Sequence, residues 1–179
     1  MFLDKPIRFR AFIESINKNI ERIKNYFLDA KNYLSGNRTI KNLPYAATEG
    51  LFNGSQKIFI HVNGQKEITD AITISKELGI NNIVIVKGQG ADKVADLLVR
   101  NNVSVVLERA HRNPNSEDDA YDYTYTIAKT LTDKGIVVGL GMNGAMERMN
   151  TRNLPFYAGT FAAFGLDKEA AIQLITLNN

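Results

Sequence analysis

Lys57-Ile58-Phe59-Ile60-His61-Val62 and Asn82-Ile83-Val84-Ile85-Val86 are short, rich in β-branched residues and almost wholly apolar, and their reading decides the fold. Half-exposed antiparallel strands alternate polar with apolar residues, whereas unbroken apolar runs fit strands buried on both faces of a parallel sheet. Two further runs follow, Ser104-Val105-Val106-Leu107 and Ile136-Val137-Val138-Gly139-Leu140. Helical patterns near 66–78, 92–101 and 121–134 separate them. The helices hand over to strands at Leu78-Gly79-Ile80, Asn102-Val103 and Lys134-Gly135-Ile136, where Gly or Asn supplies a C-cap. The predicted order is βαβαβαβα, with right-handed crossovers.

Upstream, Phe9, Phe12, Ile13, Ile16, Ile20, Ile23, Phe27 and Leu34 recur at three- and four-residue steps, which predicts one long amphipathic helix with a buried stripe, ended by Ser35-Gly36-Asn37. A shorter helix is predicted over 43–52 and is broken by Asn53-Gly54. The chain therefore divides into a helical segment, 1–55, and a strand–helix segment, 56–179. Four parallel strands complete neither a closed barrel nor a sheet with covered edges. The expected architecture is α/β: part of a TIM-type (β/α) barrel with about four parallel strands, preceded by the long helix. Half a barrel leaves strand edges and one flank uncovered, so self-association is expected, and a fragment of a longer protein is the natural source of such a half.

Composition narrows the function. The 179 residues are 44% hydrophobic and 23% charged, enough for a globular core. The net charge of +3 comes from 22 basic and 19 acidic residues with no basic block, so nucleic acid is not an expected partner. Cysteine is absent, which excludes thiolate metal sites and cysteine nucleophiles. No stretch approaches the roughly 18 apolar residues of a membrane helix, and Met1-Phe2-Leu3-Asp4-Lys5-Pro6 lacks a leader's apolar run. A soluble protein is expected, and cytoplasm and periplasm remain equally open.

In α/β architectures ligands bind at the C-terminal edge of the strands. Three strands here end in polar or glycine-containing loops: His61-Val62-Asn63-Gly64, Lys87-Gly88-Gln89-Gly90 and Gly141-Met142-Asn143-Gly144. At such an end His61 is placed either to bind a metal or move a proton, or to fill the mouth as a hydrogen-bonded polar group. Lys87 can anchor an anion, act as a base or reach solvent. Gly88-Gln89-Gly90 lacks the third glycine and the acidic partner of a dinucleotide fingerprint. The polar loop running from Glu108 to Tyr123 holds His111 and the acidic Asp118, Asp119 and Asp122, which either bind a cation or cap the following helix. Arg152 lies near the same mouth, and Pro155 suits the first turn of a helix. A serine nucleophile elbow, an HExxH pair and an EF-hand loop are all missing.

From Lys57 to Asn179 the chain resembles the C-terminal half of the barrel in imidazolonepropionase-like amidohydrolases, metal-dependent hydrolases of cyclic amides and related C–N bonds. Ile58-Phe59-Ile60-His61 is similar to the fifth strand with its metal-binding histidine, and Ile83-Val84-Ile85-Val86-Lys87-Gly88 to the sixth. Val105-Val106-Leu107, His111, Pro114 and Asp118-Asp119-Ala120-Tyr121-Asp122 resemble the seventh strand and loop of a bacterial subgroup. The most specific segments are Asn153-Leu154-Pro155-Phe156-Tyr157-Ala158-Gly159-Thr160, Gly165-Leu166-Asp167-Lys168-Glu169-Ala170 and Ile175-Thr176-Leu177-Asn178, which are similar to the helices after the eighth strand.

The departures bear on function. The resemblance implies a second metal histidine where this chain has Lys87, and a metal-binding, proton-handling aspartate where it has Asn143. His61 alone remains of the implied ligands in this half, and a catalytic zinc needs about three protein ligands and an open position. The expectation is a fragment of a hydrolase of non-peptide C–N bonds with a degenerate metal site, inactive in isolation, with no cofactor held by this chain; zinc or another divalent metal belongs to the parent family. Lys87, His111 and Arg152 are the candidate contacts to a small-molecule substrate of the parent. The alternative is a non-catalytic ligand-binding or scaffold protein on a degenerate barrel.

Overall fold

The four apolar runs pair side by side as parallel strands: β1 (Ile58–Val62), β2 (Ile83–Lys87), β3 (Ser104–Leu107) and β4 (Val138–Leu140), in the spatial order β1-β2-β3-β4. The structure is a computed structural model that describes residues 5–36, 40–114, 117–142 and 147–178. Ahead of the sheet come α1 (Lys5–Ser35), α2 (Leu43–Ala46) and α3 (Glu49–Asn53). The crossovers are α4 (Gln65–Leu78), α5 (Ala95–Arg100) and α6 (Tyr123–Asp133), and α7 (Leu154–Ala163) and α8 (Lys168–Gln173) follow β4. This is the α/β arrangement of strands and helices expected from the sequence.

Register divides the side chains between two faces. Ile60, Ile85, Val105 and Val138 stand opposite one another across the sheet. They meet Ile68 and Ile72 of α4, Leu98 of α5, Ile127 and Leu131 of α6 and Phe161 of α7 in one core cluster. Phe59, Val84 and Ser104 form one row of the opposite face; His61, Val86, Val106 and Gly139 form the next. On that face Phe59 is 58% exposed and Val137 49%, while Val84 in the same row is buried. The strands are apolar on both sides because both sides of such a strand are made for burial, and the helices of the core cluster lie on the outer side.

Local signals set the boundaries. Gly54 and Gly79 adopt left-handed φ of 82° and 85° at the ends of α3 and α4. Asn42 caps α2 by accepting from the Tyr45 N–H, and Asp167 caps α8 by accepting from Glu169 and Ala170. Pro155 does lie in the first turn of α7. Two expectations change. The helix predicted over 43–52 is two short helices, because the chain turns at Ala47-Thr48. The buried stripe on α1 is incomplete: Ile16 and Ile23 are 42% and 51% exposed, while Ala30 is fully buried. Helix α1 is tied to α4 by the Lys24–Glu77 ion pair at 2.8 Å and by Lys31 Nζ donating to the Leu78 carbonyl.

The free edge of β4 is occupied by the end of the described chain. The Leu140 N–H donates to the Leu174 carbonyl, and Asn178 Nδ2 donates to the Val138 carbonyl, both at 2.8 Å. No described helix is long and apolar enough to cross a membrane.

Candidate functional site

All four strands point their C-terminal ends at one rim. His61 occupies the row that faces the uncovered side, next to Val86 in register. Beside it a cavity of about 140 Å³ is lined by His61, Val86, Val106, Glu108, Gly141 and Met142. Gly141 packs closely against Val106 there, since a Cβ would sit 3.0 Å from Val106 Cγ1.

Lys87 breaks the strand alternation. Its φ is 81°, in the left-handed region that a lysine rarely adopts. The chain is turned at that point and Lys87 Nζ comes 3.8 Å from Oε1 of Glu108, the first residue after β3. The Glu108 side chain is 18% exposed, that of Lys87 34%. Glu108 also faces the Arg112 guanidinium, whose pKa burial lowers and the Glu108 carboxylate raises. A carboxylate between two cations is the electrostatic centre of this rim.

The other candidates are dispersed. His111 lies away from this cavity: its Nε2 is 3.0 Å from Thr160 Oγ1, and its ring packs edge-on against Tyr157 at 5.1 Å. Arg152 is exposed on the 3₁₀ helix Glu147–Asn153 ahead of α7. Asn143 lies outside the described residues. Of the acidic loop residues, Asp119 pairs with Lys93 at 3.2 Å, and Asp122 holds the N-cap position of α6 without a side-chain cap bond. Asp122 contributes its carboxylate charge at the helix start and its backbone carbonyl, which accepts from the Tyr125 and Thr126 N–H groups.

Two residues not singled out from sequence belong to the rim. Glu108 is one; its only mark in the sequence is being the first polar residue after Val105-Val106-Leu107. Tyr123 is the other. Its hydroxyl approaches both the Gln89 carbonyl and Asp92 Oδ1. Burial first, then the hydrogen bond and charge of Asp92, push the phenol far above its ordinary pKa and hold it neutral.

Among the described residues, no three His, Cys, Asp or Glu side chains lie close enough together to hold a metal ion. One imidazole and one ion-paired carboxylate do not make the three-ligand set of a catalytic zinc, and the Lys87 ammonium opposes a cation at the same rim. The described residues thus do not fit the metal that the resemblance implies. What the described rim does hold is an imidazole, a carboxylate and two cations.

No family model matches the chain. Among curated proteins no relative matches. A solved structure of an amidohydrolase from Thermotoga maritima MSB8 is similar with a TM-score of 0.69 at 20% identity, over 89% of this chain. The chain spans 43% of the length of that amidohydrolase. At this identity the likeness concerns the fold, and it makes the four-stranded unit the counterpart of part of an amidohydrolase barrel.

Proposed function

We propose that this chain is the C-terminal half of an amidohydrolase-like barrel that acts on non-peptide carbon–nitrogen bonds, with a degenerate metal site and no hydrolase activity in isolation. The observation that carries this reading is the Lys87–Glu108 ion pair at 3.8 Å, standing where the resemblance to imidazolonepropionase-like proteins calls for a second metal-binding imidazole. A buried or half-buried ammonium near the metal position raises the cost of placing a dication there. His61 is then a remnant ligand on an otherwise polar rim. Lys87, His111 and Arg152 remain the proposed substrate contacts of the parent, and zinc or another divalent metal its proposed cofactor. Asn143, an amide in place of the carboxylate, cannot accept the proton of an attacking water.

The test is metal content after purification, followed by zinc titration and assay on a cyclic amide. The expected result is no stoichiometric metal and no hydrolysis above background. One equivalent of retained zinc, with hydrolysis abolished by His61→Ala, would overturn the degenerate-site reading.

The uncovered face supports a companion reading, self-association of the chain. Phe59 and Val137 expose apolar surface on a face whose counterpart in a complete barrel is interior. This surface also serves the second functional reading, a non-catalytic scaffold; the two differ in the parent protein, where retained zinc with hydrolysis dependent on His61 favours the hydrolase and its absence the scaffold.

A further inference from the structure

The chain exposes 11663 Å² of surface. A folded monomer of its mass, 20.0 kDa, exposes roughly 8,700 Å², which leaves a surplus of about 3,000 Å². A stable interface takes about 800 Å² from each partner. The surplus is therefore large enough for a dimer, and exposed apolar side chains mark where it lies: Ile16 and Ile23 on α1, and Phe59 on β1.

Ile23 and Phe59 share a groove. A cavity of about 300 Å³ runs between α1 and β1, lined by Ile20, Ile23 and Phe27 of α1, Phe59 of β1, and Ile74 and Leu78 of α4. The polar groups around it are engaged. Ser75, which also lines it, donates its hydroxyl to the Ala71 carbonyl, and Lys24 pairs with Glu77 at 2.8 Å. Such walls fit an apolar occupant, because a polar one would lose its hydration without finding a partner.

The same helix carries an occupant of that kind. Helical spacing sets Ile16, Ile20, Ile23 and Phe27 in one stripe, with Asn17 and Asn19 beside it and Lys18, Glu21 and Arg22 on the opposite side. Two copies of the stripe therefore meet without like charges between them. A stripe that is at once ridge and groove wall is self-complementary, which is what a two-fold contact requires. In an antiparallel crossing that sets Ile16 of each copy against Ile23 of the other, Ile20 falls beside the axis.

We propose that two copies of the chain pair through α1 about a two-fold axis, each laying Ile16 and Ile20 over the other's groove between α1 and β1. This rests on the self-association reading and names its contact. Phe59 lines both the groove and the apolar surface that holds Val137, so the contact is continuous with that face. The far edge of the sheet is closed to a second copy by Leu174 and Asn178.

Sedimentation equilibrium of the full chain tests the pairing. The wild type and Lys18→Glu should dimerise alike, and Ile16→Arg should dimerise at least about tenfold more weakly. Because the chain has no cysteine, Ile20→Cys introduces a single thiol, which mild oxidation should link to its own copy. Lys18→Cys, on the opposite side of the helix, should stay unlinked. A dimer that Ile16→Arg leaves intact and Ile20→Cys does not cross-link would overturn this contact while leaving self-association through the rest of the face. A wild-type monomer would overturn both and leave the groove to a different molecule. Should Ile20→Cys fail to fold, Ile16→Arg decides the matter, since Ile16 is partly exposed.

Discussion

The ammonium of Lys87 lies 3.8 Å from the carboxylate of Glu108, and Lys87 reaches it from a left-handed backbone with φ of 81°. The pair is partly exposed, so it is worth at most about 1 kcal/mol. The backbone cost of a left-handed non-glycine residue is about 1–2 kcal/mol. Lys87→Ala loses the pair and keeps the strain, while Lys87→Gly loses both. Urea unfolding should therefore place Lys87→Gly about 1 kcal/mol above Lys87→Ala. An alanine variant as stable as the glycine variant would contradict the strained reading of this position.

The same position tests the metal site. His61 and Glu108 line one cavity, and Lys87 borders it through Glu108. Lys87→His removes the opposing charge and adds a third donor, the minimum for a zinc site. Zinc affinity should rise at least about tenfold over the wild type, read by calorimetry and by metal content after dialysis. A further His61→Ala change should return it to the starting value.

Tyr123 carries a pH prediction. Its phenol is raised in the folded chain by burial and by Asp92. Below the unfolded pKa of about 10 both states are neutral and the contribution to stability is complete. Above it the unfolded chain ionises first, and stability should fall by up to about 1.4 kcal/mol per pH unit. Tyr123→Phe should be less stable at pH 7 by about 1–3 kcal/mol, through the acceptors it leaves, and should lose this alkaline slope. Denaturant titrations between pH 8 and pH 11.5 compare the two chains.

Phe59 and Val137 mark the surface for self-association. Because Leu174 and Asn178 already occupy the β4 edge, copies should join through the uncovered face instead of that edge. Phe59→Asp should shift the chain toward monomer in light scattering with little change in its melting temperature, since Phe59 is 58% exposed. A wild-type monomer at high concentration would remove the prediction's basis.

The strands were legible because Ile, Val and Leu at consecutive positions leave few alternatives, and Gly79 marked a helix end that the structure places at the same residue. Helix α1 was legible in extent but not in burial, because periodicity shows an apolar stripe without showing whether anything packs on it; Ile23 stays half exposed. At the site, His61 could be placed from its strand. Glu108 could not be paired with Lys87, because the contact depends on a backbone dihedral at Lys87 that a lysine's chemistry does not announce.

The spatial order β1-β2-β3-β4 repeats the order of the chain. Each strand therefore finds its neighbour across a single crossover, and no strand must wait for a segment made much later. Such a sheet can grow in the direction of synthesis, with β1 and β2 docking through α4 while β3 and β4 are still being made, and its loop-closure entropy comes in small, successive steps. The consequence is local: each strand's neighbour is supplied by the next crossover, and no pairing in the described sheet spans the whole chain.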